Sequence, residues 1–230
     1  MSSNVLVELF FANINDFGQV PLTTSESDKF DAFKSKKRKQ EYALSRWLRR
    51  KFLSLKTNIP SNELQFYKNK CGKPYLQNQA HFFNISHSHD WVVLAICKSS
   101  EIGIDIQKLE SKKNMLEIAK QYFSTQEYIQ LKTIKDNQQQ MTSFYNLWTA
   151  KEAVLKALGT GIANGLDVYN FSIKNNTAKP NKSCNNILFS QFKYEDNYSV
   201  SLALLTSSSL QLEINRYRVT NINELIKINL

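Results

Sequence analysis

Two rhythms of apolar and polar positions run along the chain. Residues 4–11 (NVLVELFF) are a nearly continuous apolar run and predict a buried strand. Residues 81–85 and 91–97 (WVVLAIC) predict two more strands, joined by the polar link Ser86-His87-Ser88-His89-Asp90. Residues 102–107 (IGIDIQ) alternate, so Ile102, Ile104 and Ile106 face a core while Gly103, Asp105 and Gln107 face the other way. Strands are also predicted at 187–194, 198–205 and 210–219. Helical spacing covers 26–33, 37–56, 114–131 and 141–158. In the second of these, Tyr42, Leu44, Trp47, Leu48, Phe52 and Leu55 recur near i, i+3 and i+4. The polar stretches 132–140 and 174–186 read as loops, and 221–228 as a short terminal helix at best.

One stretch of pattern repeats. Shifted by 108 positions, residues 92–106 (VVLAICKSSEIGIDI) lie over residues 200–214 (VSLALLTSSSLQLEI). Ala95 meets Ala203, Ser99-Ser100 meet Ser207-Ser208, and Asp105 meets Glu213. Any two amphipathic hairpins of similar length match in part, but a long period is also the mark of duplication. The expectation is an α+β fold of two similar, pseudo-symmetric halves, each a small antiparallel sheet packed with helices. The halves are set at 1–105 and 106–230, with the active site between them.

Composition narrows the classes. A chain of 230 residues with 42% apolar content can bury a real core. No apolar run is long enough for a membrane span, and Met1-Ser2-Ser3-Asn4 does not open a secretory signal. Cys71, Cys97 and Cys184 are odd in number and far apart, which suits a reducing cytoplasm rather than a disulfide framework. The net charge of +10 is concentrated. Residues 34–56 hold ten Lys/Arg against the single acid Glu41, a local +9. Such a segment implies a polyanionic partner or a solvated lysine-rich face. Lys36 to Arg38 would open its helix, where the dipole disfavours cations unless an anion neutralises them.

Three elements carry chemistry. Asp105 sits beside Gly103, which leaves room for a ligand or metal, or is an ordinary exposed strand-end acid. Glu152 and Lys156 lie together, off the apolar stripe of Leu147, Ala150, Val154 and Leu158, as either functional groups or an exposed ion pair. Gly72-Lys73-Pro74 forms a turn, followed by Phe83-Asn84-Ile85-Ser86-His87-Ser88, whose hydroxyls and imidazole offer donors to phosphate. A Ser-His hydrolase is disfavoured, because no G-x-S-x-G elbow surrounds the pair.

Taken together, these segments resemble the 4′-phosphopantetheinyl transferases of the surfactin-synthetase-activating (Sfp) type. The resemblance runs through Gly72-Lys73-Pro74, Phe83 to Ser88, Gly103-Ile104-Asp105-Ile106, Phe123-Ser124-Thr125-Gln126-Glu127 and Trp148-Thr149-Ala150-Lys151-Glu152-Ala153 with Lys156. It implies transfer of the phosphopantetheine arm of coenzyme A to a serine of an apo acyl or peptidyl carrier protein. Mg²⁺ is the implied cofactor and adenosine 3′,5′-bisphosphate the implied by-product.

By that resemblance Asp105 and Glu152 ligate Mg²⁺, and Glu152 and Lys156 act in catalysis. Lys73, Pro74, Ser86, His87, Lys151, Lys156, Arg46 and Lys37 contact coenzyme A. The family commonly has an acid where this chain has Gln107, which would join the metal shell directly or through water with less electrostatic attraction. A monomer is implied, without nucleic acid or membrane partners. Two other readings remain: a catalytically degenerate relative that binds coenzyme A or carrier protein, and a nucleic-acid-binding protein using the basic helix.

Overall fold

The computed structural model describes residues 4–77, 81–161, 165–206 and 210–229. Met1-Ser2-Ser3 and the Ser207-Ser208 portion of the repeat lie outside them. The chain runs β1 (Asn4–Asn13), α1 (Thr24–Asp31), α2 (Lys36–Thr57), β2 (Phe66–Lys68), β3 (Pro74–Leu76), β4 (Phe82–Ser88), β5 (Trp91–Cys97) and β6 (Ile102–Lys108). It continues α3 (Met115–Tyr122), α4 (Thr125–Thr133), α5 (Asn137–Leu158), β7 (Phe171–Lys174), β8 (Thr177–Pro180), β9 (Ile187–Tyr194), β10 (Tyr198–Leu205), β11 (Gln211–Asn221) and β12 (Glu224–Ile228).

The same unit occurs twice. Strand β1, helix α2 and the β4–β5 hairpin form one unit, whose three strands lie in the order β1-β5-β4. Strand β6, helix α5 and the β9–β10 hairpin form the other with β10 central. The 108-residue shift carries β5 onto β10 and β6 onto β11. The two halves are therefore pseudo-symmetric, and the fold is α+β. The larger sheet has the order β12-β11-β1-β5-β4, because β11 returns to pair in parallel with β1. The chain thus changes sheet between β5 and β6, and a division at residue 105 falls inside β6.

Two sheets and two helices make four layers. Helix α2 packs Leu44, Trp47, Leu48 and Phe52 on Phe10, Val92 and Leu94 of the first sheet. The opposite face, Val7, Leu9, Phe11, Val93 and Ala95, meets Ile102, Ile104, Ile106, Val200 and Leu202 of the second sheet. Helix α5 covers the far side, and most of its residues are buried. The exposed-pair alternative for Glu152 is thereby removed, since only 9% of the residue is accessible.

Several boundaries differ from the sequence expectation. Strand β4 extends through Ser88, leaving only His89-Asp90 as the hairpin turn, with His89 at positive φ. Residues 114–131 form two helices, because Ser124 and Glu127 build a capping box that starts α4. Residues 177–180 and 224–228 are strands, not a loop and a terminal helix; β12 is held by antiparallel pairing to β11.

Gly103 does not leave room for a ligand. A Cβ there would collide with the Ala153 carbonyl oxygen and the Ala157 nitrogen, so the missing side chain admits the backbone of α5. Gly103→Ala is expected to cost about 1–3 kcal/mol through overpacking, read as a lower denaturation midpoint. A midpoint unchanged from wild type would show that α5 does not need this close approach.

Candidate active site

The close seating of α5 on β6 places Glu152 and Lys156 over Asp105. Lys156 Nζ lies 2.6 Å from Asp105 Oδ1 and donates 3.0 Å to Ser86 Oγ and 3.2 Å to the Ile104 carbonyl. Ser86 donates its hydroxyl to the same Asp105 oxygen at 2.7 Å. Gln107 donates its side-chain amide to Asp105 Oδ2 at 3.4 Å. Burial pushes the Glu152 carboxyl above its ordinary range; Lys156 opposes this and Asp105 adds to it. Two carboxylates from different elements thus sit within electrostatic range of one ammonium, which is paired with Asp105.

That donor set suits a hard cation. Its potential ligands are all oxygens, two of them ionisable, and Mg²⁺ keeps several waters when one or two carboxylates hold it. Among the described residues no three His, Cys, Asp or Glu side chains converge. Substrate oxygens, water or the Gln107 amide would have to complete the shell.

On the other side of β4 lies a cleft of about 770 Å³, lined by Lys37, Arg38, Tyr42, Arg46, Pro74 and His87, among others. Adjacent strand residues point to opposite faces, so His87 faces this cleft while Ser86 faces Asp105. Helix α2 opens here with Ser35 as its cap, and its first turn contains no acid. Its backbone N–H groups and cations together favour a bound anion. Glu41 also lines the cleft, 3.9 Å from His87 Nδ1. Four sequence-named residues, Lys37, Arg46, Pro74 and His87, are thus gathered in one place.

Two other named lysines are turned inward. Lys73 Nζ meets Glu101 at 2.6 Å and the Ile102 and Ala157 carbonyls at 3.2 and 2.8 Å. Burial lowers its pKa against the opposing pull of Glu101. It fastens the turn that carries Pro74 to the C-terminal end of α5, where a cation is favoured. Asn69 supports it by donating 2.7 Å to the Gly159 carbonyl. Lys151 is only 1% exposed. It pairs with Glu127 at 2.8 Å and donates to the Leu166 and Tyr169 carbonyls. Both ammonium groups are satisfied inside the fold, because each sits on a helix or turn face that packs inward, and neither faces the cleft.

Sequence reasoning did not single out Glu127 or Glu101 as partners of these lysines. Glu127 also accepts from Ser124 N and Phe171 N, so the Phe-Ser-x-x-Glu segment is a strut that sets α4 and β7 against α5. The Ser-x-x-Glu capping spacing was the available signal. Much of the basic segment is likewise neutralised internally. Arg49 and Arg50 share Glu26, Lys56 meets Glu8, and Lys37 meets Asp90. Burial brings Arg49 down to about 9. Among the described residues, Lys36, Arg38 and Arg46 make no ion pair.

Both parts of the chain match known families. Residues 101–209 match the 4′-phosphopantetheinyl transferase superfamily, and residues 17–99 match the 4′-phosphopantetheinyl transferase N-terminal family. The chain belongs to the 4′-phosphopantetheinyl transferases, of the Sfp type, and is an enzyme of that class. It is 35% identical over 186 residues to 4′-phosphopantetheinyl transferase gsp of Aneurinibacillus migulanus, covering 76% of this chain and 73% of the relative. It is 35% identical over 168 residues to 4′-phosphopantetheinyl transferase Sfp of Bacillus subtilis, covering 67% and 72%. The human L-aminoadipate-semialdehyde dehydrogenase-phosphopantetheinyl transferase is 33% identical over 135 residues, covering 54% and 44%.

The raised Glu152 pKa sets a sign for pH dependence. Between the ordinary and the raised value the folded chain binds more protons than the unfolded chain, so stability falls as pH rises through that window. Glu152→Gln is therefore expected to unfold at higher denaturant than wild type at pH 8, with the difference shrinking towards pH 4. A variant less stable than wild type at pH 8 would mean that the electrostatic attraction of Lys156 outweighs burial.

Proposed function

We propose that the chain transfers the 4′-phosphopantetheine arm of coenzyme A to a serine hydroxyl of an apo acyl or peptidyl carrier protein, with Mg²⁺ required and adenosine 3′,5′-bisphosphate released. The observation that carries this reading is the convergence of Asp105, Glu152 and Lys156 beside the basic cleft of α2. Asp105 and Glu152 would hold the metal, with Gln107 reaching the shell directly or through water. When bound, Mg²⁺ neutralises charge on the pyrophosphate oxygens.

The chain's own residues account for the rest. Lys37, Arg46 and His87, with Pro74 on the opposite wall, hold the adenosine and its 3′-phosphate. The pyrophosphate then lies towards Asp105 and Lys156. Glu152, made more basic by burial, accepts the proton of the incoming serine. The serine oxygen forms a bond to the β-phosphorus, and the bond from that phosphorus to the bridging oxygen breaks. Lys156 offsets the charge left on the departing phosphate. Lys73 and Lys151 contribute by fixing the Pro74 turn and helix α5.

The first half thus supplies nucleotide contacts, and the second supplies the metal-ligand helix and the carrier surface near residues 112–141. Acidic carrier surfaces would be steered by its positive charge. We place the protein as a cytoplasmic monomer. No helix among the described residues is long and apolar enough to cross a membrane.

Incubation with coenzyme A, Mg²⁺ and an apo carrier protein should add the mass of one phosphopantetheine to the carrier. Coenzyme A binding without mass gain across several carriers would favour the non-catalytic relative; no coenzyme A binding would overturn both. Gln107→Glu should lower the Mg²⁺ concentration for half activity. An unchanged requirement would place residue 107 outside the metal shell.

A further inference from the structure

Strands β4 and β6 run side by side in parallel, but side chains of β4 replace the usual backbone ladder. Ile104 N donates to Asn84 Oδ1 at 3.0 Å, Ile106 N to Ser86 Oγ at 3.4 Å, and Lys108 N to Ser88 Oγ at 3.0 Å. Every second residue of β4 serves as a rung, and all three are buried. This seam joins the two sheets at the level of Asp105.

Ser86 differs from the other two rungs. A hydroxyl has one hydrogen and two lone pairs. Its hydrogen goes to Asp105 Oδ1 at 2.7 Å, and its lone pairs accept from Lys156 Nζ and Ile106 N. Its hydrogen-bonding capacity is therefore filled, and no proton is left for a phosphate oxygen. Asp105 Oδ1 receives both Ser86 and Lys156, while among the described residues Oδ2 has only the long contact to Gln107.

We infer that Ser86 is a positioning residue: it fixes the rotamer of the Asp105 carboxylate and seats Lys156 against it, so that the metal-facing oxygen is presented ready-made. This rests on the assignment of Asp105 to the metal, and it replaces a direct coenzyme A contact at Ser86. Ser88 is the internal control. It makes the same kind of rung to Lys108 N, among the described residues without a bond to a carboxylate.

The test titrates Mn²⁺ into the coenzyme A-free protein, following free Mn²⁺ by electron paramagnetic resonance, for wild type, Ser86→Ala, Ser86→Cys and Ser88→Ala. Loss of a group that orients a ligating side chain typically weakens metal binding by about 10–100-fold. Ser86→Ala should raise the Mn²⁺ Kd about tenfold or more on that scale. Ser86→Cys keeps the volume with a weaker donor and should fall between Ala and wild type. It also carries the test if the alanine variant does not fold. Ser88→Ala should stay near wild type.

In turnover, Ser86→Ala should lower kcat and raise the metal requirement, with KM for coenzyme A little changed. Equal Mn²⁺ affinity in wild type and both Ser86 variants overturns the inference. So does a rise confined to KM for coenzyme A, which would restore Ser86 as a ligand contact. A wild type that binds no Mn²⁺ removes the metal assignment and this inference together. A wild type that binds Mn²⁺ but transfers no phosphopantetheine removes the proposed reaction alone.

Discussion

The site depends on one steric allowance. Gly103 lets the backbone of α5 settle directly on β6, at a spacing that a Cβ would forbid. A strand carboxylate and a helix carboxylate can share a pocket only when the two elements approach this closely. Asp105, Glu152 and Lys156 inherit their geometry from that contact. The last turn and the middle of α5 are then held by buried polar groups. Lys73 and Asn69 tie the last turn to the β2–β3 hairpin, and the Lys151–Glu127 pair braces the middle against α4. Breaking one side of such a buried pair leaves an uncompensated charge, which is why both partners must be present.

Charge is divided between structure and site in a way that the total hides. The +9 of residues 34–56 suggests one polyanion-binding face. In the fold, Arg49 and Arg50 are absorbed by Glu26 and Lys56 by Glu8, at the C-terminal side of α2. The first half of the helix, with Lys36, Lys37, Arg38 and Arg46, is the part turned towards open space. Asp90 offsets Lys37 there, and an anion would relieve the dipole conflict of the remaining cations. The cations that remain without an ion pair among the described residues are thus fewer than the +9 suggests.

Much of this was legible in the sequence. The alternation in Ile102 to Gln107 put Asp105 on the face away from the three isoleucines, where Ser86 and Lys156 meet it, and the repeat at 108 residues foretold the doubled sheet. Lys37, Arg46, Pro74 and His87 do share a cleft. What failed was any inference about which neighbour fills a space. Gly103 looked like room for a ligand and is room for a helix. Lys73 and Lys151 read as coenzyme A contacts, Lys73 at the adenosine end and Lys151 at the phosphates; in the fold their ammonium groups meet Glu101, Glu127 and carbonyls far away in sequence. Periodicity reports which face a residue occupies, whereas the identity of its partner is set by tertiary packing. The terminal strand β12 was missed for the same reason, since its state is fixed by pairing with β11.

The central claim is that Asp105 and Glu152 form one cation site between β6 and α5, next to the nucleotide cleft. Anomalous diffraction from crystals grown with Mn²⁺ and adenosine 3′,5′-bisphosphate tests it directly. The account predicts one strong peak between the Asp105 and Glu152 carboxylates, with the nucleotide in the cleft lined by Lys37, Arg46, Pro74 and His87. A peak elsewhere, or nucleotide in that cleft with no metal at the carboxylates, would contradict it.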